Sequence, residues 1–165
     1  LERIQRMTKH SAIETEPVLS PDGETLAYIS DKTGSPQVYL MDLNTKKSRR
    51  LTLSDKYNIS PAWSPDGSMI AYCNFKNNKS TVFRIGVDDK IIGLGRQVSP
   101  NGMNAESPVW SPDGSMIAYS GNQGTGKGSN WKIYYSLSSG GSATRLTNSA
   151  DGINETNPAW NSGLK

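Results

Sequence analysis

Apolar residues in this chain come in short runs with a period of two rather than 3.6. Thr25–Ser30, Met69–Asn74 and Met116–Ser120 have the length and composition of buried strands. After polar residues that include Gly or Asn, each is followed by a second run: Gln37–Asp42, Thr81–Gly86 and Lys132–Ser136. Each pair therefore reads as a β-hairpin. No segment carries the pattern of an amphipathic helix. The longest uninterrupted apolar stretch, Met69–Cys73, is about five residues, far too short to span a membrane as a helix.

The hairpins sit inside a repeat. Ser-Pro-Asp-Gly occurs at Ser20–Gly23, Ser64–Gly67 and Ser111–Gly114, at spacings of 44 and 47 residues. Before each lies a Pro-x-Trp or its variant: Pro17-Val18-Leu19, Pro61-Ala62-Trp63 and Pro108-Val109-Trp110. A fourth copy, Pro158-Ala159-Trp160, follows after 50 residues. Arg50-Leu51-Thr52 recurs as Arg145-Leu146-Thr147 and, more loosely, as Gln97-Val98-Ser99, with Arg6-Met7-Thr8 ahead of the first repeat. Ser-Pro-Asp-Gly suits a type I turn, with Pro presetting φ at the second position and Gly closing the fourth. Four short strands in about 45 residues make one blade of a β-propeller. The expected class is all-β, with four-stranded blades at 9–52, 53–99 and 100–147. Residues 1–8 are expected to be the outer strand of a preceding blade, and 148–165 to carry the inner strand of a closing one. In the first blade the strands are expected at Pro17–Leu19, Thr25–Ser30, Gln37–Asp42 and Ser48–Leu51. Trp63, Trp110 and Trp160 are expected to pack between neighbouring blades. Three blades cannot close a ring, and two copies would leave unpaired strand edges at the joining blades. The chain therefore reads as one arc of a longer propeller.

Composition narrows the chemistry. Among 165 residues there are 18 Lys and Arg against 15 Asp and Glu, a net charge of +3, too mild for a nucleic-acid-binding surface. Gly and Pro, 25 residues together, suit a turn-rich globular chain. A single cysteine excludes an internal disulfide and a Cys-rich zinc site, and a single histidine excludes most His-based metal clusters. Gly121–Lys127 resembles a phosphate-binding loop up to its lysine. Position 128 is Gly where Ser or Thr is required, and a strand follows instead of a helix, so it reads as a hairpin loop. Asp22, Asp66 and Asp113 occupy equivalent turns of different blades and read as turn-capping residues. Cys73 reads as an inert core residue. No catalytic residues and no cofactor are assigned.

Candidate binding residues cluster where the inner strands begin. Glu16, Glu106 and Glu155 lie one, two and three residues before their blade prolines, with Asp151 nearby. Acids converging at a channel mouth favour a basic partner segment, or a divalent cation held in the channel. His10 lies on the loop leading to the first inner strand, on the same face. Lys46, Lys47, Arg49 and Arg50 read as a solvated outer edge that discourages strand pairing.

Pro-x-Trp-Ser-Pro-Asp-Gly, then an Ile-Ala-Tyr strand, an Ile/Val-Tyr strand and Arg-Leu-Thr, resembles the repeat of the TolB propeller family over nearly the whole chain. Gln5–Thr8, Thr15-Glu16-Pro17 and Gly34–Tyr39 are similar to an inner blade of that family, and Asn157–Asn161 to its carboxyl terminus. The resemblance implies the C-terminal half of a six-bladed propeller, preceded by more blades and a small α/β domain. It implies a non-enzymatic periplasmic protein of the Tol–Pal cell-envelope system, with partners among the Tol proteins and the peptidoglycan-associated lipoprotein Pal. The family's Thr-Glu pair before a blade proline, a Pal contact, corresponds to Thr15-Glu16. Glu106-Ser107 is the nearer of the other blade equivalents, whereas Ile59-Ser60 and Thr156-Asn157 depart from the pair. The expected partner-binding residues are thus Thr15, Glu16, His10, Glu106, Ser107 and Glu155, with no nucleic acid and no membrane insertion. Propellers of prolyl-oligopeptidase-like and tricorn-like peptidases share the repeat, and a substrate-gating propeller is the second reading. A propeller lyase fits less well, because one histidine cannot supply an imidazole-rich manganese site.

Overall fold

The computed structural model describes residues 6–8, 11–53, 57–88, 95–123, 130–150 and 152–161. His10, Asp151 and most of the Gly121–Lys127 loop lie outside these residues. Among the described residues the regular structure is entirely strand, arranged as three four-stranded antiparallel sheets. The first runs β1 (Glu14–Leu19), β2 (Thr25–Ser30), β3 (Gln37–Asp42), β4 (Ser48–Arg50). The second runs β5 (Asn58–Trp63), β6 (Met69–Lys76), β7 (Lys79–Gly86), β8 (Arg96–Gln97). The third runs β9 (Asn104–Trp110), β10 (Met116–Asn122), β11 (Lys132–Leu137), β12 (Thr144–Arg145). Each sheet is an up-and-down meander in chain order, the form of a propeller blade. Among the described residues no helix is long and apolar enough to cross a membrane.

The first blade's two central strands coincide with the apolar runs that predict them. In blade two they extend to Lys76 and back to Lys79, because Asn77 and Asn78 both adopt positive φ (52° and 59°) and close a two-residue turn. The outer strands stop early for a shared reason. Thr52, Ser99 and Thr147 place a hydroxyl where the ladder would continue, and it accepts the amide of Val38, Val82 or Ile133. Arg6–Thr8 and Pro158–Asn161 form no strand among the described residues, and the rest of the segment expected as an outer strand at residues 1–8 lies outside them. A strand needs a ladder partner, and among the described residues none flanks either segment. The second still runs along blade three: the Asn157 amide donates to Ser120 Oγ at 3.0 Å.

The repeated turns are built alike. Gly23, Gly67 and Gly114 sit at φ of 77°, 70° and 72°, and each amide donates to the carbonyl of the leading serine at 2.9 Å. That serine's hydroxyl donates to the aspartate two residues on, at 2.5–2.6 Å. The aspartates thus cap their own turns, as expected.

Two apolar clusters join the blades. Ala27, Ile29, Val38, Leu40 and Leu51 of blade one meet Ile70, Tyr72 and Ile85 of blade two. Ala71, Val82 and Val98 of blade two meet Trp110, Ile117, Tyr119 and Tyr134 of blade three. An indole bridges each joint. Trp63 Nε1 donates to Val18 O at 3.1 Å, Trp110 to Ala62 O at 3.1 Å, and Trp160 to Val109 O at 3.2 Å. The acceptor is each time the residue after the preceding blade's proline, so every tryptophan locks its blade to the one before it. In blade one the same position is Leu19, which is 53% exposed.

Polar contacts at the joints differ from one to the next. In the first, Gln37 Oε1 accepts from Thr52 Oγ1 (2.7 Å) and from Asn58 Nδ2 (2.9 Å), and Asn58 Oδ1 accepts from Asn74 (2.9 Å). In the second, the residue matching Asn58 is Ala105, fully buried, and Asn104 Oδ1 accepts the Ser80 amide. In the third, the residues matching Gln37 and Asn58 are Lys132 and Glu155. Lys132 Nζ lies 3.8 Å from Glu155 Oε2 and donates to the carbonyls of Ser149, Ala150 and Ile153 and to Ser149 Oγ.

Two expectations follow. Trp110→Ala should cost about 3–5 kcal/mol. Trp110→Phe, which loses mainly the indole hydrogen bond, should cost about 1 kcal/mol. Both are read as a shift of the urea midpoint at constant slope. Acid should act through the turns. The Asp66 and Asp113 carboxyls are held down to about 2, chiefly by the hydroxyls of Ser64 and Ser111. A pKa depressed on folding stabilises fully above the unfolded value and is lost as pH falls through the folded one. The melting temperature should therefore begin to drop below about pH 4 and keep falling to about pH 2. The drop should be shallower in the Asp66→Asn/Asp113→Asn variant.

Candidate functional site at the mouth of the inner strands

Each inner strand contains a proline, which has no amide to give the ladder. The register shows the result. Between Thr15↔Ile29 and Val18↔Ala27, Glu16 and Pro17 face Tyr28 alone. Between Ile59↔Cys73 and Ala62↔Ala71, Ser60 and Pro61 face Tyr72. Between Glu106↔Ser120 and Val109↔Ala118, Ser107 and Pro108 face Tyr119. All three are two-against-one β-bulges with a tyrosine opposite. The residue before the proline is left-handed every time: φ is 50° at Glu16, 54° at Ser60, 53° at Ser107 and 56° at Asn157. Non-glycine residues rarely adopt this conformation, and four in equivalent places mark a feature of the fold.

These residues converge. Glu16, Ser60, Ser107 and Asn157, with Pro17, Pro61, Pro108 and Pro158, line an open concavity of about 340 Å³ at one end of the inner strands. Glu16 and Ser60 are linked directly: Glu16 Oε2 accepts the Ser60 amide at 2.6 Å. The rim thus offers a carboxylate, two hydroxyls and a carboxamide above a floor of proline rings. Such a surface can hydrogen-bond an extended segment while packing its apolar groups.

The expected site residues divide. Glu16 and Ser107 line the concavity, and Thr15 lies beside it, exposed, at the edge of the first bulge. Glu106 is half-buried one residue back from the rim. Glu155 is drawn into the third joint, where the hydroxyl of Thr147, then that of Ser149, then Lys132 keep its carboxyl below the usual carboxylate range. Ser60 and Asn157 complete the rim and stand where the family resemblance departs from the Thr-Glu pair. The signal that could find them is their place before a proline.

Among the described residues no group of three or more His, Cys, Asp or Glu side chains is placed to hold a metal ion. Cys73 is fully buried, its thiol pushed up to about 12 by desolvation and then by Glu106, and its Sγ lies 3.5 Å from Ala105 O. It has none of the exposure or thiolate character of a nucleophile.

The sequence matches the family described as the TolB beta propeller domain over residues 2–164. The chain belongs to this family. A TolB homolog of Chlorobium luteolum is 38% identical over 45 residues, which is 27% of this chain and 10% of that relative. A Tol-Pal system protein TolB of Bordetella pertussis is 39% identical over 41 residues, 25% of this chain and 9% of that protein. The matched segments therefore span about a tenth of these relatives' length. The crystal structure of TolB from Acinetobacter baumannii superposes with a TM-score of 0.71 at 24% identity, covering 88% of this chain and 35% of that one. A puromycin-hydrolyzing peptidase of Mycobacterium tuberculosis gives a TM-score of 0.68 at 20% identity over 84% of this chain and 22% of its own. That likeness is one of fold alone.

The left-handed rim generates a prediction. Ser107→Gly should leave stability within about 1 kcal/mol, because glycine adopts this φ freely. Ser107→Val should destabilise by about 1–3 kcal/mol, because a β-branched residue resists it. Thermal unfolding of the pair measures the difference.

Proposed function

We propose that this TolB-family propeller arc is a non-enzymatic interaction module of a periplasmic protein, and that its mouth contacts the peptidoglycan-associated lipoprotein Pal. The observation that carries the reading is the ring of four left-handed pre-proline residues, which turns Glu16, Ser60, Ser107 and Asn157 onto one concave surface. The family supports the partner: the Bordetella pertussis relative is named as a Tol-Pal system protein. In this reading Thr15 and Glu16 are the principal contacts, with Glu106 and Ser107 on the third blade. Glu16 has a second task, because its bond to the Ser60 amide fixes the first two blades' rims relative to each other. Binding draws on a few well-placed side chains in a preformed concavity rather than on area.

The test is capture of purified Pal by the full chain and by the Thr15→Ala/Glu16→Arg variant, followed by calorimetry. Affinity should fall about tenfold or more, as expected when a central charged contact is reversed. An unchanged affinity removes these two residues from the site.

A further inference from the structure

The inner strands have a second end. About 13 Å from the mouth, at 3.3 Å per residue over four residues, they run into the Ser-Pro-Asp-Gly turns. Between the turns of blades two and three lies a hollow of about 510 Å³, bordered by Ser64, Ser68, Trp110, Ser138 and, from β7, Arg84. Arg84 is the anomaly there. Its Nε is buried and meets no hydrogen-bond acceptor among the described residues. Its Nη1 rests 3.0 Å from Met69 Sδ, and a thioether is a weak acceptor. Arg96 stands directly opposite Arg84 in the β7–β8 register. Two like charges facing each other across an antiparallel pair repel. Neither guanidinium is paired with a carboxylate among the described residues.

Asp66 and Asp113 also border the hollow. Their oxygens are engaged within their own turns: Asp66 by Ser64 Oγ, the Ser68 amide and Ser68 Oγ, and Asp113 by the matching groups of Ser111 and Ser115. The fold does not ask for an arginine here. The positions that face Ala27 and Ala118, as Arg84 faces Ala71, are Leu40 and Tyr135. A buried donor without an acceptor costs free energy unless a ligand or ion supplies one.

We propose that the hollow between blades two and three binds an oxyanion, with the Arg84 guanidinium as its principal donor and Arg96 adding charge. The ligand chemistry is a phosphate or carboxylate group, which matches the planar fork of arginine. The Ser138 hydroxyl completes the wall. This site stands apart from the mouth, so its loss leaves the reading of the mouth untouched.

Amide and indole chemical shifts of the full chain, titrated with sodium phosphate, sodium acetate or sodium chloride at matched ionic strength, test it. Phosphate or acetate should shift the Trp110 indole and the Ser68 and Ser138 amides along a saturating curve, and chloride should not. Tighter binding of phosphate assigns a free oxyanion; equal or tighter binding of acetate assigns a carboxylate group. Arg84→Gln should weaken binding about tenfold or more. Arg84→Lys, which keeps the charge and loses the fork, should fall between and carries the test should Arg84→Gln not fold. The Trp110 indole resonance in the absence of anion reports folding in every variant. Shifts that fail to saturate, that chloride reproduces, or that persist unchanged in both variants mean an adventitious ion only and overturn the proposal.

Discussion

A missing amide hydrogen governs this fold. Proline in an inner strand cannot donate to the neighbouring strand, so the ladder takes in an extra residue and bends. The preceding residue is then left-handed at Glu16, Ser60 and Ser107, and Asn157 before Pro158 takes the same angle outside any strand. Three consequences share this cause. The bend closes the strands together at one end. The pre-proline side chains swing onto a common rim. The register beyond the bulge then puts the residue after the proline under the next blade's indole, so that its carbonyl accepts that hydrogen bond. Mouth and blade stacking are therefore one geometric device seen from two sides.

The strain of four left-handed residues is held by packing elsewhere. Blade two buries an apolar stripe on both faces, blades one and three on the face toward it, and each indole adds area and a directed bond at the joint. Where the rim needs further support it finds it locally: Glu16 on the Ser60 amide, Ser120 on the Asn157 amide. The rim is thus preorganised, which lowers the entropy lost when a partner docks.

Much of this was legible in the chain. The central strands follow from their short, bounded apolar runs, since a strand buried on both faces must be apolar throughout. The turns follow from Ser-Pro-Asp-Gly because proline and glycine each restrict the backbone in a known way. The tryptophan joints follow from their recurrence at one place in the repeat. The site was only half legible. Glu16 and Ser107 could be placed from their prolines, but charge alone pointed equally to Glu155, which Lys132 and two hydroxyls draw into a joint. Ser60 and Asn157 carry no charge to draw notice, and their importance lies in a backbone angle. Arg84 was silent because its meaning depends on what is missing around it. At Arg6–Thr8 and Pro158–Asn161 no strand forms, since a strand is a relation between two segments and pattern reads only one of them.

Repeated units within one chain create a hazard: each blade can mistake a distant copy for its proper neighbour while the chain folds. The polar contacts at the joints answer it. Gln37 finds an amide partner at Asn58; set against Ala105 its carbonyl would keep the Thr52 hydroxyl but lose that amide. Lys132 placed against Asn58 would lose both the Glu155 carboxylate and the carbonyls around it. An apolar face adheres to any other, but these three joints are addressed, like numbered seats in a row of identical chairs. Order along the arc is written in the few buried polar atoms whose partners differ from joint to joint.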